Sequence, residues 1–366
     1  MKITAVRTTL FRDGTAWYSP AHDTMTSPRG TGRCLVELLT GSALSGWAVA
    51  PAGAAAVVEA LARDLFVGED PRSAMSLWER TGGAISPDGD PASAFARAAL
   101  DIAVWDLKAR ANDEPLWKTL GGTRPRANAH LHQEVRPPDA EAMFDRYRSR
   151  SAATGIRSGS LPLSGEPATD LQGLASLKQA LGATVPGSAM MVHFDGSGGP
   201  EEAIRHLRTL ESGFDLTWVR SPVRAADWTG ARKVADSVAA AVCMGFSFTD
   251  VKAYRTYLER YSANVLELDV ALLGISGVVQ MADAAFGFEL PVVLSPHPGD
   301  LGVQLFPALP TSMSVAIDND RHPDPRAGSV IGSSVTFEDG RAVAGDGPGN
   351  GLVIDRDALQ STMLSC

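Results

Sequence analysis

Apolar and polar residues alternate near the start of the chain and then recur at helical spacing. The alternation in 3–11 predicts a strand, and the apolar run 33–39 before Gly41 predicts a second strand opening a hairpin. Residues 18–32 between them are polar and contain Gly and Pro, which is typical of a loop. From residue 52 to about 110 the spacing becomes helical, and 94–111 carries one continuous apolar face. These patterns predict an α+β domain at the start of the chain.

After Gly122 short apolar runs alternate with amphipathic helical segments. Eight strand–helix units favour a (β/α)₈ barrel over an open doubly wound sheet. No glycine-rich phosphate loop follows the first of these strands, which also disfavours a dinucleotide-binding fold. The predicted strands are Ala127–Val135, Ser158–Leu163, Ala189–Phe194, Leu216–Val219, Ala239–Met244, Val265–Val270, Val292–Ser295 and Ser312–Ile317.

The final segment, 335–359, returns to a pattern of strands and turns, and we expect it to rejoin the first domain. The predicted organisation is therefore a capping domain over 1–123, a barrel over 124–330 and a returning segment over 331–366. The whole is an α/β protein in which an α+β capping domain sits on a TIM-type barrel.

The amino-acid composition excludes several classes of protein and of binding partner. The 366 residues are 44% hydrophobic and 20% charged, as in ordinary globular proteins, and the net charge of −9 argues against nucleic acid. Three widely separated cysteines argue against a disulfide framework or a thiolate metal site. The first residues lack the apolar core of a signal peptide, and no run of 18 apolar residues predicts a membrane span. We therefore expect a cytoplasmic protein.

The residues that close the barrel strands are the candidates for function, because active sites of such barrels lie at the carboxyl ends of the strands. In chain order these residues are Ser160, Pro162, His193, Asp195, Arg220, Phe246, Asp269, His297 and Asp318.

Four segments resemble the enolase superfamily, in its mandelate racemase and muconate lactonizing enzyme branch. They are ALDIAVWDLKARANDEPLWKTLGG (99–122), LDVALLGISG (268–277), SPH (295–297) and FEDGRAVAGDGPGNGLVIDRDAL (337–359). With the first strand, the resemblance covers essentially the whole chain. It implies abstraction of a proton next to a carboxylate, with Mg²⁺ held by three carboxylates at the ends of strands three, four and five.

The implied magnesium ligands are replaced in this sequence. The end of strand three, where the family has Asp-x-Asn, reads His193-Phe194-Asp195. The end of strand four, usually Glu-x-Pro, reads Arg220-Ser221-Pro222, and that of strand five, usually Gly-Glu, reads Gly245-Phe246. Mg²⁺ takes oxygen ligands in an octahedral array, and a permanent guanidinium cation repels it. The Lys-x-Lys of the second strand is replaced by Ser160 and Pro162. We predict no metal and no other cofactor.

His297 and Asp269 occupy the positions of the family's base and its orienting carboxylate. They are read either as a catalytic pair or as a structural hydrogen bond. Arg220 either binds substrate in place of the metal or pairs with Asp195 or Glu134 to fill the vacant site. His193 is a second acid or base, or a space-filling residue. A transition-metal site from His193, His297 and a carboxylate is a further alternative.

The remaining candidates are expected to contact the substrate. Phe246 fills the core or provides a stacking surface, and Ser160 and Asp195 line the predicted pocket. Tyr18 and His22 lie where the resemblance places a loop of the capping domain over the barrel mouth. They either set specificity or are ordinary solvated residues.

Two hypotheses of function follow. In the first, the protein is a metal-independent lyase or isomerase in which His297 moves one proton of a small carboxylate or carbonyl compound. The reaction is an elimination, isomerisation or cyclisation, and a racemase or dehydratase with an unconventional metal is a lesser alternative. In the second, the protein is a non-catalytic binding or structural relative. The resemblance implies a homo-oligomer in either case.

Overall fold

A computed structural model describes residues 1–12, 32–84, 91–134, 136–137, 139–182, 188–319 and 329–364. The first part is a three-stranded antiparallel sheet in the order β1–β2–β3, followed by helices that pack on the sheet and on one another. The strands are β1 (Ile3–Arg12), β2 (Gly32–Thr40) and β3 (Ser45–Pro51). The helices are α1 (Ala55–Leu61), α2 (Ala74–Ala84) and α3 (Pro91–Ala111).

Helix α3 is buried on nearly every side, because its many alanines allow the sheet and the barrel to approach closely. Strand β3 passes against it at Gly46, where a Cβ atom would lie 2.0 Å from the carbonyl oxygen of Ala103. No residue but glycine fits at such a distance. Helix α3 therefore joins the two domains through a shared core rather than a linker. A short helix, α4 (Leu116–Thr119), follows it.

Eight parallel strands form a closed barrel, since β11 pairs with β4 as well as with β10. The prediction of a capping domain on a TIM-type barrel is confirmed. The strands are β4 (Arg126–His132), β5 (Gly159–Pro162), β6 (Met190–His193), β7 (Trp218–Arg220), β8 (Ala241–Met244), β9 (Val265–Leu268), β10 (Val292–Leu294) and β11 (Ser312–Asp318).

Helices cover the outside of the barrel. Several begin at an aspartate whose side chain accepts a hydrogen bond from the first turn, as at Asp139 and Asp227. The helices are α5 (Ala140–Thr154), α6 (Pro167–Leu181), α7 (Pro200–Glu211), α8 (Trp228–Ala235), α9 (Arg255–Arg260), α10 (Val270–Gly287) and α11 (Leu301–Leu305).

Helix α10 is long and apolar enough to cross a membrane by length and composition alone. It is mostly buried and packs against α3, as expected of a core helix. The helix is interrupted at Gly274, where φ is 65° and ψ is −178°. The Asp101 carboxylate of α3 caps the turn that follows, accepting from the Ser276 amide at 2.8 Å and from its hydroxyl at 2.6 Å.

The last segment packs against the first domain. Strands β13 (Thr336–Glu338) and β14 (Arg341–Val343) form a hairpin, and β14 extends the barrel sheet beside β4. Strands β12 (Ile331–Ser333) and β15 (Leu352–Ile354) pair with each other, and helix α12 (Arg356–Thr362) follows. Their apolar side chains share a core with Phe11 of β1.

Candidate active site

Arg220, at the end of β7, forms a buried ion pair with Glu134 beyond the end of β4. The Nη2 atom of Arg220 donates to Oε1 and Oε2 of Glu134 at 2.8 and 2.7 Å. A second carboxylate, Glu267, lies 3.5 Å from Nη1. Of the two partners predicted for Arg220, the structure brings Glu134 to it. Asp195 is exposed and accepts hydrogen bonds from the amide and hydroxyl of Ser197.

The two charges stabilise each other against the effect of burial. Burial acts to raise the pKa of Glu134, but the Arg220 guanidinium and the His132 hydrogen bond hold it well below its usual range. Burial acts to lower the pKa of Arg220, yet Glu134 and Glu267 raise it above its ordinary value. Both groups are therefore charged at neutral pH.

Phe246 covers one face of the Arg220 guanidinium. The guanidinium carbon lies 4.0 Å from the centre of the phenyl ring, and Phe246 is 5% exposed. A desolvated cation on an aromatic face is stabilised by the ring's quadrupole. Phe246, at the end of the fifth barrel strand, therefore stabilises Arg220, at the end of the fourth, by packing against its guanidinium.

Glu267 was not among the predicted site residues. It lies inside β9 rather than at its end, with its side chain in the barrel, and Ser295 donates to its Oε1 at 2.8 Å. In the sequence, Glu267 is an acidic residue inside the apolar run of Val265, Leu266 and Leu268. The rule that functional residues close each strand does not select it, because it lies one residue before the strand end.

A group of histidines lies beside the ion pair. The His132 ring contacts Ser160 Oγ through Nδ1 at 2.8 Å and Glu134 Oε2 through Nε2 at 2.7 Å. The His193 ring stacks on His132, with centroids 5.2 Å apart. The predicted pocket residue Ser160 therefore contacts His132 at the barrel interior.

His193 is 4% exposed, and neither of its ring nitrogens makes a well-aligned hydrogen bond among the described residues, although the backbone of Glu134 lies nearby. Burial and the Arg220 charge lower its pKa well below the ordinary value. The imidazole is therefore neutral at physiological pH. It presents an uncharged nitrogen to the site, as a base or a ligand requires.

His297 and Asp269 follow the ends of β10 and β9, and each makes a hydrogen bond to a backbone group near its own strand end. His297 Nδ1 donates to the Pro298 carbonyl at 2.8 Å, and Asp269 accepts from the Ala271 amide at 2.9 Å. Burial lowers the pKa of His297 to about 4 and raises that of Asp269 to about 7. The bond to Pro298 puts the hydrogen on Nδ1 and the lone pair on Nε2.

A cleft of about 570 Å³ opens at the carboxyl ends of β4 to β8. Its wall combines three arginines with two acids, an imidazole and two phenyl rings: Arg136, Arg220, Arg224, Glu134, Asp195, His193, Phe194 and Phe246. His297 does not line it among the described residues. Tyr18 and His22, predicted to reach over the mouth, lie outside the described part of the chain.

The magnesium that the resemblance implies does not fit the residues at its expected position. The three ligand positions hold the imidazole of His193, the guanidinium of Arg220 and the phenyl ring of Phe246. Asp195, the nearest acid on the third strand, accepts hydrogen bonds from Ser197 instead. Mg²⁺ requires several oxygen donors around one point. A different set, His132, Glu134 and His193, brings ligand atoms within 4.8 Å of one another. It shares only His193 with the metal set considered from the sequence.

Comparison with known families agrees with this architecture. Residues 5–121 match the mandelate racemase / muconate lactonizing enzyme N-terminal domain, and residues 140–358 match the enolase C-terminal domain-like family. The chain therefore belongs to the mandelate racemase and muconate lactonizing enzyme branch of the enolase superfamily.

Similar proteins of this family include enzymes named for sugar acids. A D-galactarolactone cycloisomerase of Agrobacterium fabrum is 25% identical over 378 residues, covering 98% of each chain. A 3,6-anhydro-alpha-L-galactonate cycloisomerase of Streptomyces coelicolor is 25% identical over 317 residues, covering 84% of each. The crystal structure of a Bradyrhizobium enolase complexed with magnesium and mandelic acid has a TM-score of 0.83 at 20% identity, covering 100% of this chain and 99% of that one.

Proposed function

We propose that the protein is an enzyme of the lyase or isomerase type that transfers a proton next to the carboxylate or carbonyl group of a small molecule, without the magnesium of its family. The reaction is an elimination, isomerisation or cyclisation. Sugar acids and their lactones are the first substrates to consider, because the cycloisomerases above are named for them. A cytoplasmic homo-oligomer remains part of this proposal.

Arg220 is the observation that carries the proposal. Its Nη2 is taken by Glu134, while Nε has no hydrogen-bond partner among the described residues. A buried guanidinium N–H without an acceptor is unfavourable, and an oxygen of a bound substrate would satisfy it. The same positive charge would stabilise negative charge that develops on the substrate oxygen when the adjacent carbon loses its proton.

His297 is the proposed base, a role in which the bound substrate must extend from Arg220 to it, because His297 does not itself line the described cleft. Its lone pair on Nε2 and its lowered pKa keep it in the proton-accepting form at neutral pH. Asp269 acts from the preceding strand as an orienting group, a role that needs the two side chains to approach further when substrate binds. His193, neutral and on the cleft wall, is the second group that can exchange a proton with the substrate.

A non-catalytic binding protein is the second candidate. The observation that favours it is the pairing of Arg220 with two carboxylates, which offsets its charge in the absence of any ligand. Such a protein would bind small acids without exchanging their protons. Exchange of a carbon-bound proton with solvent therefore separates the two candidates.

The test is an NMR screen in D₂O with protein that has been dialysed against a chelator and checked for metals. Aldonates, aldarates and their lactones are incubated with the protein, and loss of the proton signal next to the carboxylate is followed. Even a reaction that returns to its starting material is detected, because the abstracted proton is replaced by deuterium.

We expect exchange with at least one compound, and a rate about 10²–10⁴-fold lower in His297→Asn. The control Arg224→Met removes an exposed arginine of the same cleft. Any fall in its exchange rate measures how much the charge at the cleft rim contributes to substrate binding. Binding without exchange in the wild-type protein would favour the second candidate. Exchange that appears only after Mg²⁺ is added would contradict the proposed independence from magnesium.

A further inference from the structure

His132, Glu134 and His193 bring three potential metal donors to one point inside the barrel mouth. Their ligand atoms all lie within 4.8 Å of one another, and both histidines are 4% exposed. Donors bound to one Zn²⁺ at about 2.0–2.2 Å lie at most about 4.2 Å apart. Small side-chain movements would close the set around an ion.

His193 points to a ligand independently of that spacing. Both of its ring nitrogens are buried, and among the described residues neither makes a well-aligned hydrogen bond; the backbone of Glu134 is only near enough to raise its pKa weakly. Buried polar groups are nearly always paired, so an orphaned imidazole requires an explanation. A space of about 10 Å³ beside it, also lined by His132 and Ser160, is enough for about one water molecule, which could complete an ion's coordination.

His132 is already held as a metal ligand would be. Its Nε2 faces Glu134 Oε2 at 2.7 Å, and its Nδ1 contacts Ser160 Oγ at 2.8 Å. Metal-bound histidines use one nitrogen for the ion and the other for an outer hydrogen bond that fixes the ring. An ion would replace the hydrogen between His132 and Glu134, with Ser160 accepting from Nδ1.

The neighbouring Arg220 is compatible with an ion at this point. It contacts both oxygens of Glu134, so it can retain Oε1 when Oε2 binds the ion. Glu267 provides a second carboxylate at 3.5 Å from the guanidinium. Two carboxylates against one guanidinium leave the cluster net negative, and a divalent cation is attracted to it.

We propose that His132, Glu134 and His193 bind a transition-metal ion such as Zn²⁺, at a position different from the magnesium site of the family. Two imidazoles and one carboxylate suit Zn²⁺ and its neighbours, whereas Mg²⁺ prefers oxygen donors alone. The inference uses neither His297 nor a substrate contact of Arg220, so its test is metal binding and not turnover. With the ion bound, His193 is a ligand and no longer exchanges a proton with the substrate, and His297 remains the proposed base.

Metal binding is tested on the untagged full chain, stripped of metals with a chelator. Equilibrium dialysis with Zn²⁺ gives stoichiometry and affinity, and the visible spectrum of the Co²⁺-loaded protein reports the coordination of the ion. The variant His193→Leu removes a ligand that makes no well-aligned hydrogen bond, so the fold should be retained. The matched variant His130→Leu removes another buried histidine, which is not one of the three proposed ligands. Its Nδ1 contacts Ser314, and its ring lies edge-on to His132 with centroids 6.3 Å apart, so it controls for loss of a neighbouring imidazole.

We expect one Zn²⁺ per chain and Co²⁺ bands that disappear in His193→Leu but persist in His130→Leu. Ser160→Ala, which leaves all three ligands in place, should weaken binding by about 10–100-fold. Absence of stoichiometric Zn²⁺ binding would overturn the proposal. So would equal binding by wild type and His193→Leu, or an equal loss in His130→Leu.

Discussion

Glu134 and Arg220 form an ion pair across the barrel mouth, joining the first barrel strand to the fourth through two hydrogen bonds from one nitrogen. At 5% exposure the guanidinium has little access to water. Its partners must therefore satisfy it from within the protein. The pair occupies space that the family resemblance assigns to a metal ion, and the stability of the barrel mouth should depend on it.

Removing the arginine alone should destabilise the protein strongly. Arg220→Met leaves Glu134 and Glu267 without their cation, and breaking a buried pair in this way costs about 3–5 kcal/mol. The double variant Arg220→Met/Glu134→Gln should lose less, because one of the stranded charges is removed as well. Urea unfolding at neutral pH measures both. The control Arg224→Met, at an exposed arginine, should change stability by no more than about 0.5 kcal/mol. An Arg220→Met effect as small as the control's would contradict this account.

The pH dependence of turnover should report the lowered pKa of His297. A base with a pKa of about 4 remains unprotonated down to acidic pH, so kcat/KM with an identified substrate should stay level from pH 7 to 5. An ordinary histidine would give a fall centred near pH 6.5. His297→Asn should lower kcat/KM across this whole range. A wild-type profile that falls near pH 6.5 would exclude His297, in the environment described, as the base.

Asp101 should make stability decrease as the pH rises. Burial raises its pKa in the folded protein to about 7, whereas the unfolded chain loses the proton near pH 4. Between those values the folded state holds a proton that the unfolded state has released, so rising pH favours unfolding by about 1.4 kcal/mol per unit of pKa difference. Asp101→Asn cannot ionise. Its stability relative to wild type should improve from pH 4 to 7 in urea titrations, and a constant difference would refute the assignment.

Gly274 should not tolerate a side chain. Its backbone angles lie in a region that is essentially restricted to glycine, and a Cβ would lie 2.7 Å from Asp101 Oδ2 and 3.1 Å from the Trp78 ring. Gly274→Ala should cost about 1–3 kcal/mol from the backbone, with a further penalty from the contacts. Gly287, at the end of the same helix, has no atom within 4 Å of its ideal Cβ. Gly287→Ala should be neutral or slightly stabilising. Thermal unfolding of both variants and the wild type measures the difference.

The fold could be predicted from the sequence because its signals are local and repeated. Each barrel unit contains a short apolar run and an amphipathic helix, and the segments 99–122 and 337–359 resemble the family in the parts that join the two domains. The site was predictable only where a side chain closes a strand. That rule identified His193, Arg220 and His297 as candidates.

The remaining features of the site depend on distances between strands, which the sequence does not contain. Arg220 could have paired with either of two acids, and only the barrel geometry selects Glu134. Glu267 was missed because it lies inside an apolar run, and the contact of His132 with Ser160 joins neighbouring strands. Asp269 was expected to hydrogen-bond to His297, and its carboxylate accepts a hydrogen bond from the first turn of the helix that follows it.

The return of the last segment to the first domain has a consequence for synthesis. Met363 forms a bridge with Phe11 of β1, and Leu359 packs against the core that contains Phe11 and Val330. The whole barrel lies between these residues in the chain. On the ribosome, the barrel strands therefore emerge before the capping domain receives its final partners, and nascent β1 must wait for almost the entire chain to be translated before its core is complete.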